Sequence, residues 1–161
     1  MSQSSIASIT DMAGKYLTFY LADEEYGIEI MKIKEIIGMM DIIELPRTPD
    51  FVKGVINLRG KVIPVIDLRL KFSMPEVEHT EKTCIIVVEI KESGVDLQIG
   101  IIVDLVSEVL NVVSDDIEDS PHFGAQVDTE FILGMAKSTE KVRTLLDIDK
   151  VLGTEGVAAA M

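Results

Sequence analysis

No stretch of this chain stays apolar for long. Its Val, Ile and Leu residues come in runs such as YLTFYLA (16–22), VIPVIDL (62–68), TCIIVVEI (83–90) and VDLQIGIIVDLV (95–106). Most are short, rich in β-branched side chains and separated by Gly, Pro, Asp or Asn, which reads as many short strands. Helix signals are few. Thr48 and Pro49 ahead of Gly54 predict a short helix ending on a left-handed glycine, and Asp147 ahead of Gly153 predicts another. With 161 residues, 47% of them apolar, the chain can build one domain or two very small ones; only 5% are aromatic and none is Trp, so aliphatic side chains must fill the core.

The runs recur. YGIEIMKIKEII (26–37) lies on IGIIVDLVSEVL (99–110) at an offset of 73, matching Gly27 to Gly100, Ile33 to Val106, Glu35 to Glu108 and Ile36 to Val109. Further on the offset is 80: FVKGV (51–55) meets FILGM (131–135), and VIPVIDL (62–68) meets VRTLLDI (142–148). Gly54 then matches Gly134, and Asp67 matches Asp147. The chain therefore reads as two similar β units of about five strands each, with the polar stretch SMPEVEHTEK (73–82) at their junction. Sheets that small must close or pack to hide their edges, so two small barrels sharing an interface are expected.

The repeat isolates one turn. NLRG (57–60) in the first unit becomes KSTE (137–140) in the second, so closing the hairpin does not require its sequence. Gly60 suits a positive φ. Arg59 has no such backbone reason and is either a solvated charge or a binding group. Gly54 and Gly134 are expected to share a positive φ. Pro64 cannot donate to a ladder, which predicts an edge or bulged strand. Asp67 and Asp147 are expected to cap following short helices.

Catalytic patterns do not emerge. His79 and His122 lie in polar segments without ligand spacing, and no phosphate loop, nucleophile elbow or calcium loop is present. No metal or cofactor is expected. The net charge of −13, from 15 Lys plus Arg against 28 Asp plus Glu, disfavours nucleic acid and anionic membranes. Cys84 stands alone in an apolar run and is expected to be buried, in a reducing compartment. The Ser-rich residues 1–14 do not read as a signal peptide and are expected to be flexible, and no run suits a membrane span. Together these favour a binding module. A regulatory subunit with a small-molecule pocket between the barrels, or a small hydrolase, are the alternatives.

LADEEYGIEIMKIKEI, TPDFVKGVINLRGKVIPVIDLRLKF and GIIVDLVSEVL, in that order, resemble the CheW-like family of bacterial chemotaxis coupling proteins. The resemblance spans residues 15–152 and leaves 153–161 as a tail. It implies a mainly β fold: two five-stranded, SH3-like barrels packed together, abutting or intertwined, with a few short helices. It implies a cytoplasmic, non-enzymatic adaptor recruited to receptor arrays at the inner face of the membrane. Its partners would be the cytoplasmic tip of methyl-accepting chemoreceptors and the regulatory domain of the histidine kinase CheA, with no membrane insertion of its own. Ile33, Glu35, Ile36, Gly54 and Arg59 fall on positions associated with receptor coupling, and Asn57, Leu58 and Gly60 complete the turn that carries Arg59.

Overall fold

A computed structural model describes residues 14–92, 94–118, 129–138 and 141–153. His122, the N-terminal residues 1–13 and the tail 154–161 lie outside them. The strands are β1 (Gly14–Leu21), β2 (Glu24–Glu29), β3 (Ile33–Gly38), β4 (Val52–Leu58), β5 (Lys61–Asp67), β6 (Cys84–Glu92), β7 (Val95–Val103), β8 (Leu105–Val112), β9 (Ile117–Glu118), β10 (Ile132–Ser138) and β11 (Lys141–Leu146). Two short helices, α1 (Leu68–Lys71) and α2 (Ile148–Leu152), follow β5 and β11.

One sheet has the order β8-β1-β2-β11-β10-β9, the other β3-β6-β7-β5-β4. The two sequence units and the two sheets do not coincide. Each sheet takes its first hairpin from one unit and its remaining strands from the other: β1–β2 joins β8, β9, β10 and β11, while β6–β7 joins β3, β4 and β5. The matched residues occupy matched places. Leu145 pairs in parallel with Gly27, and Val65 with Gly100. The backbone N–H of Asp67 donates to Phe51 O and that of Asp147 to Phe131 O, both at 2.8 Å.

Both sheets are closed by the same device. After β3 the chain returns so that Ile43 bridges Val55 of β4, with Ile43 N–H to Val55 O at 2.8 Å and Val55 N–H to Ile43 O at 2.9 Å. After β8 the chain returns as β9, whose Glu118 pairs with Met135 of β10. Val55 and Met135 are related by the offset of 80. Each curled sheet thus hides its edges, which is what so small a sheet needs.

The largest core lies between the sheets. Leu17, Phe19, Leu21, Tyr26 and Ile28 of one meet Ile86, Val88, Ile101 and Val103 of the other. The few aromatic rings gather here: Phe19, Tyr26, Phe72 and Phe131 follow one another at centroid spacings of 5.9, 6.1 and 6.5 Å. Inside the β3–β7 barrel Ile56, Ile63, Val65, Ile85, Val87 and Ile102 form a second, wholly aliphatic core.

Two local expectations need correction. No helix covers 48–54. The segment makes only a turn, with Val52 N–H donating to Pro49 O at 3.0 Å, before β4 begins at Val52. Gly54 therefore sits inside a strand, at a bulge where the register shifts between Val52 and Gly54; its φ is +143°. Gly134 lies at the matching shift between Ile132 and Gly134, so the units share the bulge. Pro64 is in neither an edge strand nor a bulge, since β5 lies between β4 and β7. Val55, opposite Pro64, spends its N–H and C=O on Ile43, so the Pro64 nitrogen faces β7 instead. The ladder to β7 starts only at Val65, so no bond is lost.

Asp67 and Asp147 cap α1 and α2. Asp67 Oδ1 accepts from Arg69 N–H at 2.9 Å, and Asp147 Oδ1 from Lys150 N–H at 3.3 Å. Asp67→Ala and Asp147→Ala are each expected to cost about 1 kcal/mol, seen as a lower urea midpoint with an unchanged slope. The crossing from β7 to β8 is pinned at Asp104, which accepts from Arg69 Nε at 2.9 Å, Arg69 Nη2 at 2.6 Å and Ala22 N–H at 2.8 Å. Partial burial works to raise the Asp104 carboxyl, but the Arg69 bonds prevail and hold it below the usual 3.8. A carboxyl lowered on folding stabilises the fold above its unfolded pKa and loses that contribution as pH falls through the folded one. Acid titration of Asp104→Asn should therefore show a shallower loss of stability below about pH 4 than the parent protein.

Candidate functional site

The turn between β4 and β5 has Arg59 at φ 54° and Gly60 at φ 86°. Two successive positive φ values are those of a type I′ hairpin turn, whose twist matches that of the flanking strands. Asn57 supports it, its Oδ1 accepting the Gly60 N–H at 2.8 Å. Arg59 thus holds a backbone conformation that costs a non-glycine residue roughly 1 kcal/mol. Leu58 turns its side chain toward the aliphatic core of the barrel and is half-buried.

Arg59 Nη2 contacts Glu35 Oε2 of β3. β3 and the β4–β5 hairpin stand at opposite ends of the sheet order, so the contact spans the closure of the barrel. The Arg59 side chain is 69% exposed and that of Glu35 33%, so solvent screens the pair and its worth to stability is small. It sets where the turn points.

Ile33 and Ile36 flank Glu35. In a regular strand residues three apart face opposite ways. Here Ile33 lies opposite Val88 while Glu35 lies opposite Val87, so Lys34 is bulged out and the alternation skips a residue. Ile33 and Ile36 therefore share the face of Val88 and Ile86, which belong to the core between the sheets, while Glu35 and Ile37 share the face of Val87 and Ile85 inside the barrel. Ile33 is half-buried against the shared core, and Ile36 is 44% exposed.

This apolar strip continues into the other barrel. Cys84, opposite Gly38, lies on the same face. Its thiol sits against the backbone N–H of Val106 in β8. β8 carries the same bulge: Leu17 pairs with Val109 but Phe19 with Val106, one residue too many on β8. Val106 and Val109 consequently face Leu17 and Phe19 of the shared core, with Val109 54% exposed. The strip runs Ile33, Ile36, Cys84, Val106, Val109. Val106 and Val109 are absent from the sequence-based candidates, although the offset of 73 matches them to Ile33 and Ile36.

Cys84 is half-buried rather than buried, because it begins β6 at the edge of the core. Burial raises its thiol above the ordinary 9.0, partly offset by the Val106 N–H. The reactive thiolate is accordingly scarce at neutral pH. Gly54 is not part of the strip. A side chain there would overlap the Ile43 carbonyl oxygen, so its role is to let the barrel close. Among the described residues no group of three or more His, Cys, Asp or Glu could hold a metal ion.

The CheW-like domain family matches residues 15–156. A chemotaxis protein CheW of Klebsiella aerogenes is 39% identical, covering 96% of this chain and 94% of its own length. One from Bacillus subtilis is 34% identical, covering 91% and 92%. Among solved structures, the scaffolding protein TtCheW of Thermoanaerobacter tengcongensis superposes with a TM-score of 0.75 at 38% identity, covering 84% of this chain and 90% of that one.

Proposed function

The chain belongs to the CheW-like domain family, and from that premise we propose that it joins the cytoplasmic tip of chemoreceptors to the regulatory domain of the histidine kinase CheA. Its role is that of a chemotaxis scaffold, built on two SH3-like barrels. The observation that carries the receptor half is the matched pair of bulges in β3 and β8. They turn Ile33, Ile36, Val106 and Val109 onto one apolar strip. A receptor tip made of helices would lay its apolar stripe along it. Arg59 reaches the same strand through Glu35, on the face of β3 opposite Ile33 and Ile36. A guanidinium carries five N–H donors, and the Glu35 contact engages Nη2, leaving others for receptor carbonyls or carboxylates. Glu35 tunes orientation more than affinity.

The kinase domain would pack barrel against barrel, away from the strip. A scaffold of this kind needs no catalytic group. It would work in the cytoplasm, held beneath the membrane by its receptor; no described helix is long and apolar enough to cross a bilayer. One cavity of about 410 Å³ lies between β5 and β7 of a single barrel.

Titrations with a receptor tip fragment and with the kinase regulatory domain test the proposal. Each should bind alone, and both together should form a ternary complex. Native-state labelling of Cys84 should be slow, and slower still with the receptor fragment, while the kinase domain leaves it unchanged. Competition between the two partners, or Cys84 labelling indifferent to the receptor, would count against it.

A further inference from the structure

The swapped arrangement of the units raises a folding problem. Every strand of one unit has an equivalent in the other, so the β1–β2 hairpin could pair with β3, β4 and β5, and β6–β7 with β8, β10 and β11. The connections that send the chain across are short, the turn Ile30–Lys32 and the single residue Asp104. Such hinges between interchangeable elements are where alternative pairings arise.

One contact discriminates. Glu25 and Arg143 lie one step before the first pair of the β2–β11 ladder, with Arg143 Nε 3.1 Å from Glu25 Oε2 and side chains 6% and 5% exposed. Both Glu25 oxygens and Arg143 Nε and Nη1 are buried without hydrogen-bond geometry, so charge attraction compensates their burial, from Arg143 first and from Lys141 Nζ, 4.0 Å from Glu25 Oε1, second. In the other barrel the offsets place Ile63 where Arg143 stands and Gln98 where Glu25 stands. In the unswapped pairing Glu25 would face Ile63 and Arg143 would face Gln98. Arg143 would keep Glu108 of its own unit, now 3.4 Å away, whereas Glu25 would lose its close partner and keep only a lysine at the rim, with Lys61 standing where Lys141 now lies 4.0 Å from it. Other ion pairs between units, Lys32–Asp149, Lys34–Glu89 and Arg69–Asp104, are partly exposed, so their groups would be rehydrated if mispaired.

We propose that the Glu25–Arg143 pair is a topology lock, selecting the swapped strand pairing over its unswapped twin. A stranded buried carboxylate should lower the population of the twin by more than ~100-fold. Single substitutions would strand a charge and confuse misfolding with mispairing. The informative variant is the full chain with Glu25→Gln and Arg143→Ile together, which copies Gln98 and Ile63 and strands nothing. Both proteins are unfolded in denaturant and refolded, and cross-strand NOEs are read at Leu145. The parent should show contacts to Gly27 alone. The double variant should fold but give a second set of resonances with Leu145 contacts to Gly100, or swapped dimers on size exclusion. A double variant that refolds to one monomer with Leu145–Gly27 contacts only would overturn the lock. So would a double variant that does not fold, since the pair would then be serving stability.

Discussion

Gly54→Ala melts roughly 10 °C below the parent protein if the closure of the β3–β7 barrel works as described. The glycine has φ +143°, a region that costs a side-chain-bearing residue roughly 1–2 kcal/mol. Its added Cβ would overlap the Ile43 carbonyl oxygen and lie 2.7 Å from the carbon of that group, so the neighbour is rigid backbone. Ile43 must retreat, and with it go the two bonds to Val55 that close the barrel. At about 1 kcal/mol each they bring the total to about 3–4 kcal/mol. The kinase domain should still bind folded variant at low temperature. A thermal melt within 2 °C or so of the parent would mean that the Ile43–Val55 bridge contributes little.

Arg59→Ala is expected to weaken receptor binding by about 1–3 kcal/mol, a loss of roughly 5- to 150-fold. Its melting temperature should hardly move, because the partner contact to Glu35 is solvent-exposed. Arg59→Gly sharpens the test. Glycine accepts φ 54° freely, so this variant should be as stable as the parent or slightly more so, with the turn intact, while losing the same affinity. If both variants bind the receptor like the parent, Arg59 is only a solvated charge at a hairpin tip. If Arg59→Ala weakens binding but Arg59→Gly does not, the turn geometry matters and the guanidinium does not.

The repeat was the most informative feature of the sequence, and it was also incomplete. Offsets of 73 and 80 state which strands are equivalent. They carry nothing about which strands pair, so the exchange of hairpins between the units was not legible. The caps at Asp67 and Asp147 were, because an N-cap is a local bond between a side chain and a nearby N–H. Gly54 is special, as its sequence context suggests, but in another element: Thr48 and Pro49 resemble a helix start, whereas the segment pairs with β5 and Gly54 makes room for the Ile43 carbonyl. Pro64 misled because the rule against proline in inner strands assumes a ladder on both sides, and the β7 ladder begins one residue later. The Ile33–Ile36 face depends on a bulge at Lys34, which no periodicity announces. Glu25 reads as part of a polar turn, DEEYG, and its partner lies 118 positions away, so a buried ion pair could not be foreseen.

On the proposed function, this chain would make the kinase answer to the receptor. Kinase autophosphorylation is measured with receptor cytoplasmic fragments and the CheA kinase, with and without this protein, and again with Ile36→Asp, which places a charge on the apolar strip. Receptor-dependent activity is expected only when the parent protein is present, and is expected to be lost with Ile36→Asp although that variant still binds the kinase domain. Receptor control that is equally strong without the protein, or unchanged by Ile36→Asp, would contradict it.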